Sequence, residues 1–321
     1  MSAGDSGTPV PSRRWPLLAV TGVVAATVVY LTAVRTGAGQ TVENAALRGA
    51  DQASARDAHQ AAAGLAAITV YSLAAAVVLI AVIAALRRRV DLMVAGVGVI
   101  VVGQLVVQTL KRFVLPRPEL VEVTGQYTQN SLPSGHTTIA MTVLFAAVLV
   151  VPYRWRGLVI VVVAAWAVGI GQYTLTAKWH RLSDTLAADA ISLSIACLAS
   201  WWLVRRGAVS RVGGRPRLLA VFATTLLTIA ALTSLALGAI LWAVPLGQEG
   251  IRIASQDDEW DLYLGATGLA SAGSTLTALI FLAAWHRLDT SACSDQTLAH
   301  ERQHDSACAG AADEGSDATP T

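Results

Sequence analysis

The chain has 321 residues, of which 54% are hydrophobic and 14% charged, with a mean hydropathy of +0.55. This composition is too apolar for a soluble domain of that length and indicates an integral membrane protein. The formal net charge is +2, and the basic residues lie at the ends of apolar runs, which argues against nucleic acid as a partner. The three cysteines give neither a disulfide framework nor a metal-ligand spacing: Cys197, Cys293 and Cys308.

The N-terminal part of the chain predicts a first membrane span. Residues 1–14 are polar and precede an apolar run from Trp15 to Val34, which is long enough to cross about 30 Å of hydrocarbon. A signal peptide is the alternative. The run is long for one and no clear cleavage site follows it, so we expect an uncleaved span. Residues 35–64 are polar and rich in alanine, with room for a short interfacial helix, and we expect His59 there to be solvated.

Seven further apolar runs make eight predicted helices and an all-α, polytopic membrane helical bundle. The runs cover residues 65–86, 90–110, 137–153, 157–176, 185–204, 217–243 and 263–284. The predicted organisation is a cytoplasmic N-terminus (1–14), a six-helix membrane core (15–205) and two additional transmembrane helices (206–286). A polar tail (287–321) is expected to be disordered in the cytoplasm.

Basic residues predict the orientation, because cytoplasmic loops carry an excess of them. With the N-terminus inside, most arginines that flank the helices become cytoplasmic. The loops at 111–136 and 177–184 then lie outside, and both are more basic than outer loops usually are. Contact with lipid headgroups is one explanation, and a binding site for an anion is the other.

Three polar clusters lie at the outer ends of different predicted helices: Lys111 to Pro118, Pro133 to His136, and His180 to Asp184. Together they would supply two histidines, one carboxylate, several cations and a turn of free N–H groups at a helix start. That set suits a phosphoryl group, because one histidine can attack phosphorus and the other can protonate the leaving oxygen. The Pro-Ser-Gly-His turn on its own is equally consistent with a plain helix N-cap.

His180 and Asp184 are four residues apart, so the carboxylate lies on the same face as the imidazole if this segment opens a helix. Asp184 would then accept from one ring nitrogen and leave the other nucleophilic. A helix-start carboxylate beside an interfacial histidine is the alternative without chemistry.

These residues resemble the type 2 phosphatidic acid phosphatase (lipid phosphate phosphatase) family, whose motifs are Lys-x6-Arg-Pro, Pro-Ser-Gly-His and Ser-Arg-x5-His-x3-Asp. The resemblance covers about residues 60–205. It implies that His180 is the nucleophile, His136 the general acid, and Asp184 the residue that orients His180. It also implies a phosphate cradle made of Lys111, Arg117, Ser134 and Gly135.

The chain departs from the family pattern at two points. Five residues separate Lys111 from Arg117, where the pattern has six, and Tyr173-Thr174 replaces the Ser-Arg pair. One expected phosphate-binding arginine is therefore absent. We expect Lys178 or Arg181 to supply the lost charge, because Lys178 would extend from the same face as position 174 if the helix continued that far.

Other polar residues border the predicted site. Gln104, Gln108 and Lys111 form a polar stripe, which indicates either interhelical hydrogen bonds or support beneath the site. Asp189 is expected to pair within the bundle. The residues expected beside the site are Tyr173, Thr176 and Trp179.

The sequence thus predicts a membrane lipid phosphatase that acts on a polyprenyl or glycerolipid phosphate or diphosphate through a phosphohistidine, without metal or cofactor. We expect a multi-pass protein of a bacterial inner membrane, with cytoplasmic termini, an extracytoplasmic site, and the bilayer and a lipid phosphate as partners. A catalytically impaired protein that binds or transports lipid phosphates, or a phosphotransferase, is the alternative.

Overall fold

The fold is known from a computed structural model that describes residues 12–122, 130–212, 218–248 and 255–290. The helices are α1 (Arg14–Val29), α2 (Gly37–Gly49), α3 (Ala55–Ala66), α4 (Val70–Leu86), α5 (Val90–Thr109), α6 (Gly135–Val150), α7 (Tyr153–Thr176), α8 (Leu182–Arg205), α9 (Leu218–Gln248) and α10 (Gln256–Ala284). Single π-helical turns extend α1 (Tyr30–Val34) and α5 (Leu110–Val114), and a 3-10 turn (Ala50–Gln52) follows α2. Two short strands, β1 (Ser210–Arg211) and β2 (Leu288–Asp289), pair antiparallel.

The all-α, polytopic membrane bundle is confirmed. Within the described residues, six segments are long and apolar enough to cross a membrane, namely Arg14–Val34, Val90–Val114, Tyr153–Thr176, Leu182–Arg205, Leu218–Gln248 and Gln256–Ala284. The bent pair α3 and α4 can form a seventh span. A shorter apolar helix of 16 residues, α6, lies between α5 and α7 in the chain. The N-terminal segment 1–11 and the tail from residue 291 lie outside the described residues.

The predicted helix at 65–86 is wrong at its start. The chain bends by 59° between α3 and α4, and residues 65 and 66 belong to α3. The cause is a capping box, in which Thr69 Oγ1 accepts from the Ser72 amide (3.2 Å) and Ser72 Oγ accepts from the Thr69 amide (2.8 Å). Since this box satisfies the first free N–H groups of a new helix, α4 begins at Val70.

The two ends of the helical bundle carry different groups of polar residues. The site end is where α5 and α7 end and where α6 and α8 begin, and the arginine end is the opposite one. At the arginine end, aromatic rings join α1, α6 and α10: Phe281 contacts Phe145 at 4.7 Å and Trp15 at 6.5 Å between ring centroids. Trp285, next to them, is 5.5 Å from Trp15. The last helix is therefore packed into the core of the bundle.

At the site end, α10 is joined to α2. Arg48 Nε donates to Glu259 Oε1 over 2.6 Å, and Gln52 Nε2 donates to the Gln256 carbonyl over 2.6 Å. A β-carbon at Gly49 would lie 1.9 Å from the Glu259 carbonyl oxygen, so only glycine permits this approach. Residues 35–64 thus contain two helices, of which α2 is mostly buried while α3 is mostly exposed. His59 on α3 is exposed, as expected.

Candidate active site

The histidine and the carboxylate of the third cluster are in contact. His180 Nδ1 lies 3.2 Å from Asp184 Oδ2, and the same oxygen accepts the Arg181 amide at 2.8 Å. His180 precedes α8 and does not stand on it, so the pair meets through the helix cap and not along a helical face. The His180 backbone is fixed because its amide donates to the Thr174 carbonyl at 3.1 Å. With Nδ1 held by Asp184, Nε2 is the nitrogen available for attack.

The Pro-Ser-Gly-His turn forms the start of α6. Ser134 is the N-cap, and its buried Oγ accepts from the Thr137 amide at 3.3 Å. Its own amide donates to the Asp184 carbonyl at 3.0 Å, which joins the turn directly to α8. The amides of Gly135 and His136, the first two of α6, have no intrahelical acceptor. These two amides are donors that this turn leaves for an anion, and the Ser134 hydroxyl, which accepts in both of its hydrogen bonds to Thr137, keeps its own proton to donate.

The two histidine rings face one space. Their centroids are 6.4 Å apart with an interplanar angle of 61°, too far for a direct hydrogen bond. Reacting atoms approach to about 3–3.5 Å before bond formation, so this separation is compatible with a phosphoryl group that contacts both rings. Trp179 lies on the other side of His136 at 5.3 Å and is 48% exposed, which makes it one border of the space.

The first cluster contributes two cations from the turn that ends α5 and the loop after it. Lys111 is half-buried and near enough to Asp184 for their charges to interact. The loop that carries Arg117 is held on both sides: Tyr30 Oη donates to the Pro116 carbonyl and Gln40 Nε2 to the Pro118 carbonyl, each at 2.8 Å. Burial and the nearby Arg181 lower the pKa of Arg117.

The two candidates for the missing arginine lie differently. α7 ends at Thr176 and Lys178 has a positive φ of 58°, so the helix does not continue to Lys178 as the sequence argument requires. The Lys178 ammonium forms an ion pair with Asp51. Arg181 is 3% exposed, and its guanidinium donates to Asn44 Oδ1 (3.2 Å) and Ser131 Oγ (3.1 Å). Arg181 therefore contacts α2 and the loop before α6, whereas Lys178 pairs with the 3-10 turn that follows α2.

Sequence reasoning missed the contribution of α2 to this site. Glu43 accepts from the Ser183 amide at 2.8 Å and from Ser183 Oγ at 3.0 Å, at the first turn of α8. Burial, and after it the charge of Asp184, raises the pKa of Glu43 to about 7, against the hydrogen bonds from Ser183 and the charge of Arg181. The available signal was the Glu43-Asn44 pair in an alanine-rich segment, because alanine allows a helix to approach its neighbours closely.

Some buried donors in this region have no hydrogen-bond partner among the described residues. They include Asn44 Nδ2 and one terminal nitrogen of Arg117. A buried unpaired donor costs about 1–3 kcal/mol. An oxyanion bound here would offer acceptors to both.

The polar stripe on α5 reaches the same region. A β-carbon at Gly135 would lie 3.5 Å from Gln108 Nε2, so Gln108 lies directly beneath the turn that begins α6. Asp189, one turn deeper in α8, accepts from Ser274 Oγ of α10 at 2.9 Å. Its predicted pairing within the bundle is confirmed.

Comparison with known proteins finds one family match. Residues 91–208 match the family model described as the PAP2 superfamily. This match confirms the predicted resemblance. Together with the membrane-length helices, it supports a membrane phosphatase at the level of this superfamily. No curated protein and no solved structure matches the chain. The PAP2 superfamily match includes all three clusters, whereas α2 and α10 lie outside it.

Proposed function

We propose that this PAP2 superfamily protein hydrolyses a lipid phosphomonoester or diphosphate through a covalent intermediate on His180. The observation that carries the proposal is the contact between His180 Nδ1 and Asp184 Oδ2, with the His136 ring centroid 6.4 Å from that of His180. A protein that only binds phosphate needs cations and amides. It does not need an imidazole in which a buried carboxylate holds Nδ1 and leaves Nε2 free to attack.

The first step transfers the phosphoryl group. His180 Nε2 attacks phosphorus, the bond from phosphorus to the lipid oxygen breaks, and His136 gives its proton to that oxygen. Asp184 stabilises the cation that forms on His180. Lys111, Arg117 and Arg181 offset the charge on the remaining phosphoryl oxygens, together with the amides of Gly135 and His136.

The second step regenerates the enzyme. His136, now neutral, takes a proton from a water molecule, whose oxygen attacks phosphorus and breaks the bond to His180 Nε2. Inorganic phosphate leaves and both histidines return to their starting states. Because cations and amides carry the charge stabilisation, we expect the reaction to need no added metal.

The position of the site at one end of membrane-length helices supports a lipid substrate. A phosphate or diphosphate headgroup can lie among the cations while its hydrocarbon chains stay in the bilayer. Polyprenyl and glycerolipid phosphates both satisfy this requirement. The excess of arginines at the opposite end supports an extracytoplasmic site with cytoplasmic termini, in a bacterial inner membrane.

The test is phosphate release by purified protein in detergent from a panel of polyprenyl and glycerolipid phosphates and diphosphates, with EDTA present. His180→Ala is the inactive variant, and His59→Ala is the matched control because His59 is exposed on α3. We expect metal-independent release that His180→Ala abolishes and His59→Ala leaves unchanged.

Protein quenched in alkaline detergent gives a second readout. Labelled phosphate should remain on wild-type protein as a base-stable adduct that acid removes, and His180→Ala should carry none. Tight binding of lipid phosphates without release from any of them would instead favour a binding or transport protein. Transfer to an added alcohol in preference to water would favour a phosphotransferase.

A further inference from the structure

One face of α8 carries a row of buried polar side chains deeper in the bundle than the histidines. Thr185, Asp189 and Ser192 have the spacing i, i+4, i+7 and so lie on the same side of the helix. They are almost completely buried, at 0%, 1% and 0% exposure. Asp189 lies about 10 Å along α8 from its start, inside a segment of membrane length. An ionisable side chain at such a depth is costly and marks a candidate functional site.

The polar atoms of this row have few partners. Asp189 Oδ2 accepts from Ser274 Oγ of α10 at 2.9 Å. Asp189 Oδ1, Thr185 Oγ1 and Ser192 Oγ have no hydrogen-bond partner among the described residues. In the part of the chain that the structure describes, no lysine, arginine or histidine forms an ion pair with Asp189. A buried carboxylate without a cation beside it is strongly unfavourable.

Another buried hydroxyl of the same helix behaves differently. Ser194 Oγ donates to the Ala190 carbonyl, four residues before it, at 2.8 Å. Serine and threonine side chains within helices commonly make this bond to their own backbone. Thr185 and Ser192 do not make it. Their hydroxyl oxygens therefore remain available to a ligand in front of the row.

α7 and α10 close the space in front of this row. A β-carbon at Gly171 of α7 would lie 3.3 Å from Thr185 Cγ2 and 3.7 Å from Ser274 Oγ, so these two side chains approach the same point. A β-carbon at Gly273 of α10 would lie 3.4 Å from Asp189 Oδ2. Three helices thus surround one carboxylate and its neighbouring hydroxyls in the interior of the bundle.

We propose that this row binds one monovalent metal cation, Na⁺ or K⁺, between α8 and α10. The ligands are Asp189 Oδ1 and the hydroxyl oxygens of Thr185, Ser192 and Ser274. Residues at i+3 and i+4 have β-carbons about 5–6 Å apart, so their oxygens can converge on one ion. Alkali-metal ions are hard cations, which take oxygen ligands.

The charge of the row favours a monovalent ion over a divalent one. One carboxylate balances a single positive charge, whereas sites for divalent ions commonly use several carboxylates. Within the described residues, no group of three or more histidine, cysteine, aspartate or glutamate side chains could hold a metal ion. The other carboxylate of α8, Asp184, contacts His180 and lies five residues away, on a different face.

A proton on Asp189 is the alternative occupant. A protonated Oδ2 can donate to Ser274 Oγ, but Asp189 Oδ1 and the hydroxyls of Thr185 and Ser192 would still lack partners. A metal cation contacts all of these oxygens. It would join α8 to α10, which lies outside the part of the chain that matches the PAP2 superfamily. No step of the proposed phosphoryl transfer involves this ion, and the inference does not rest on the proposed function.

The experiment measures cation-dependent stability of the full-length protein in detergent. Melting temperatures are recorded in choline chloride, NaCl and KCl at equal ionic strength, with EDTA present to remove divalent ions. We expect NaCl or KCl to raise the melting temperature by about 3 °C or more over choline chloride, because a ligand that binds only the folded state stabilises it. Equilibrium binding of a radioactive isotope of Na⁺, or of Rb⁺ in place of K⁺, should give one ion per chain.

Three variants assign the effect to the row. Asp189→Asn keeps the shape of the side chain and removes its charge, so its melting temperature should no longer depend on the cation. Ser192→Ala should weaken cation binding roughly ten-fold, because one ligand is lost, and it decides the matter if Asp189→Asn does not fold. Ser194→Ala is the matched control on the same helix and should leave the cation affinity unchanged, because Ser194 donates to backbone carbonyls.

Equal melting temperatures of the wild type in all three salts, with no cation bound, would overturn the proposal. A cation effect that persists in Asp189→Asn and in Ser192→Ala would overturn it as well. A wild-type stability that depends on pH but not on the cation, with the pH dependence lost in Asp189→Asn, would identify a proton as the occupant. A cation effect that depends on Asp189 would support the site even if the protein hydrolysed no lipid phosphate, so the two proposals can fail separately.

Discussion

The two ends of the bundle both concentrate cations but use them differently. At the arginine end, guanidinium groups donate mostly to backbone carbonyls that helices and the C-terminal segment leave unpaired. The bonds run from Arg87 to Val150 (2.8 Å) and Thr290 (3.0 Å), from Arg89 to Thr290 (2.7 Å) and Ala208 (3.1 Å), and from Arg156 to Val148 (3.1 Å) and Leu288 (2.7 Å).

At the site end, side-chain oxygens replace most of these carbonyls. Arg181 donates to Asn44 and Ser131, and Arg117 keeps a buried terminal nitrogen without a hydrogen-bond partner among the described residues. Arginines that donate to carbonyls hold segments of the chain together, whereas an arginine with an unpaired buried donor can bind a ligand. The partners of a cation thus say more about its role than its burial does. Paired substitutions at the two ends test this distinction.

The largest difference should appear between two carboxylates. Asp184→Asn should lower kcat by roughly 10²–10⁴-fold, because the amide holds His180 in the wrong tautomer. Asp91→Asn at the arginine end removes an ion pair with Arg89 and should leave kcat unchanged, at a cost of about 1 kcal/mol in stability. Phosphate release and thermal unfolding of both variants provide the comparison. An Asp184→Asn enzyme with normal kcat would contradict the assigned role of Asp184.

Two buried arginines should separate activity from stability. Arg117→Ala should lower kcat/KM by roughly 10²-fold, because a cation opposite the phosphoryl oxygens is lost. Arg156→Ala should lower the unfolding free energy by about 3 kcal/mol or more while folded protein stays active, because the Val148 and Leu288 carbonyls lose their donor. The measurements are steady-state kinetics and denaturant unfolding. If both variants lost kcat/KM and unfolding free energy to the same extent, the proposed difference between the two ends would be wrong.

The two replacement candidates should differ within the site end itself. Arg181→Ala should raise KM by roughly ten-fold or more, because it removes a charge beside the histidines. Lys178→Ala should stay within about two-fold of wild type, since the lysine forms a partly exposed pair with Asp51, and such pairs contribute little. KM for one lipid phosphate, measured for both variants and for Asp51→Ala, decides this. A Lys178→Ala defect larger than that of Arg181→Ala would reverse the assignment.

The smallest expected effect is a pH dependence from Glu43, whose pKa rises from 4.5 to about 7 in the folded protein. Between these values the folded protein binds more protons than the unfolded chain. Stability should therefore fall as the pH rises from about 4.5 to 7 and stay level above 7. Glu43→Gln keeps an acceptor for the Ser183 amide and removes the charge.

Melting temperatures of wild type and Glu43→Gln across this range give the difference that belongs to Glu43, because all other titrations cancel. The ratio of the wild-type KM to the KM of Glu43→Gln should also grow above pH 7. Ionised Glu43 repels a phosphate that binds near Arg117 and Arg181. Parallel pH profiles would exclude Glu43 as the titrating group.

The sequence was sufficient for the fold class and for the order of the three clusters. Apolar runs of membrane length need no knowledge of packing, so the spans from Val90 to Arg205 could be predicted to within a few residues. The contact of His180 with Asp184 was expected from spacing, although a cap and not a helical face produces it. The bend before Val70 was missed because the apolar run continues across it, while the capping box depends on two side chains only.

The remaining errors concern contacts between distant parts of the chain. Asp51 is 127 residues from Lys178 and Asn44 is 137 residues from Arg181, so no local pattern links them. The same holds for the two hydrogen bonds from Ser183 to Glu43. The sequence around Glu43 is polar and alanine-rich, and it gives no sign that this carboxylate is buried. Helical periodicity identifies which residues share a face, but it does not say which helix that face will meet.

The close approach of Gly49 to Glu259 has a consequence for the order in which the molecule is built. The ribosome makes the histidines and the cations before it makes α10, which contacts α2 through the bonds of Arg48 and Gln52 and the close approach at Gly49. A nascent chain in the membrane can therefore hold every reactive side chain while α2 lacks this contact. We expect full activity only after α10 has been inserted.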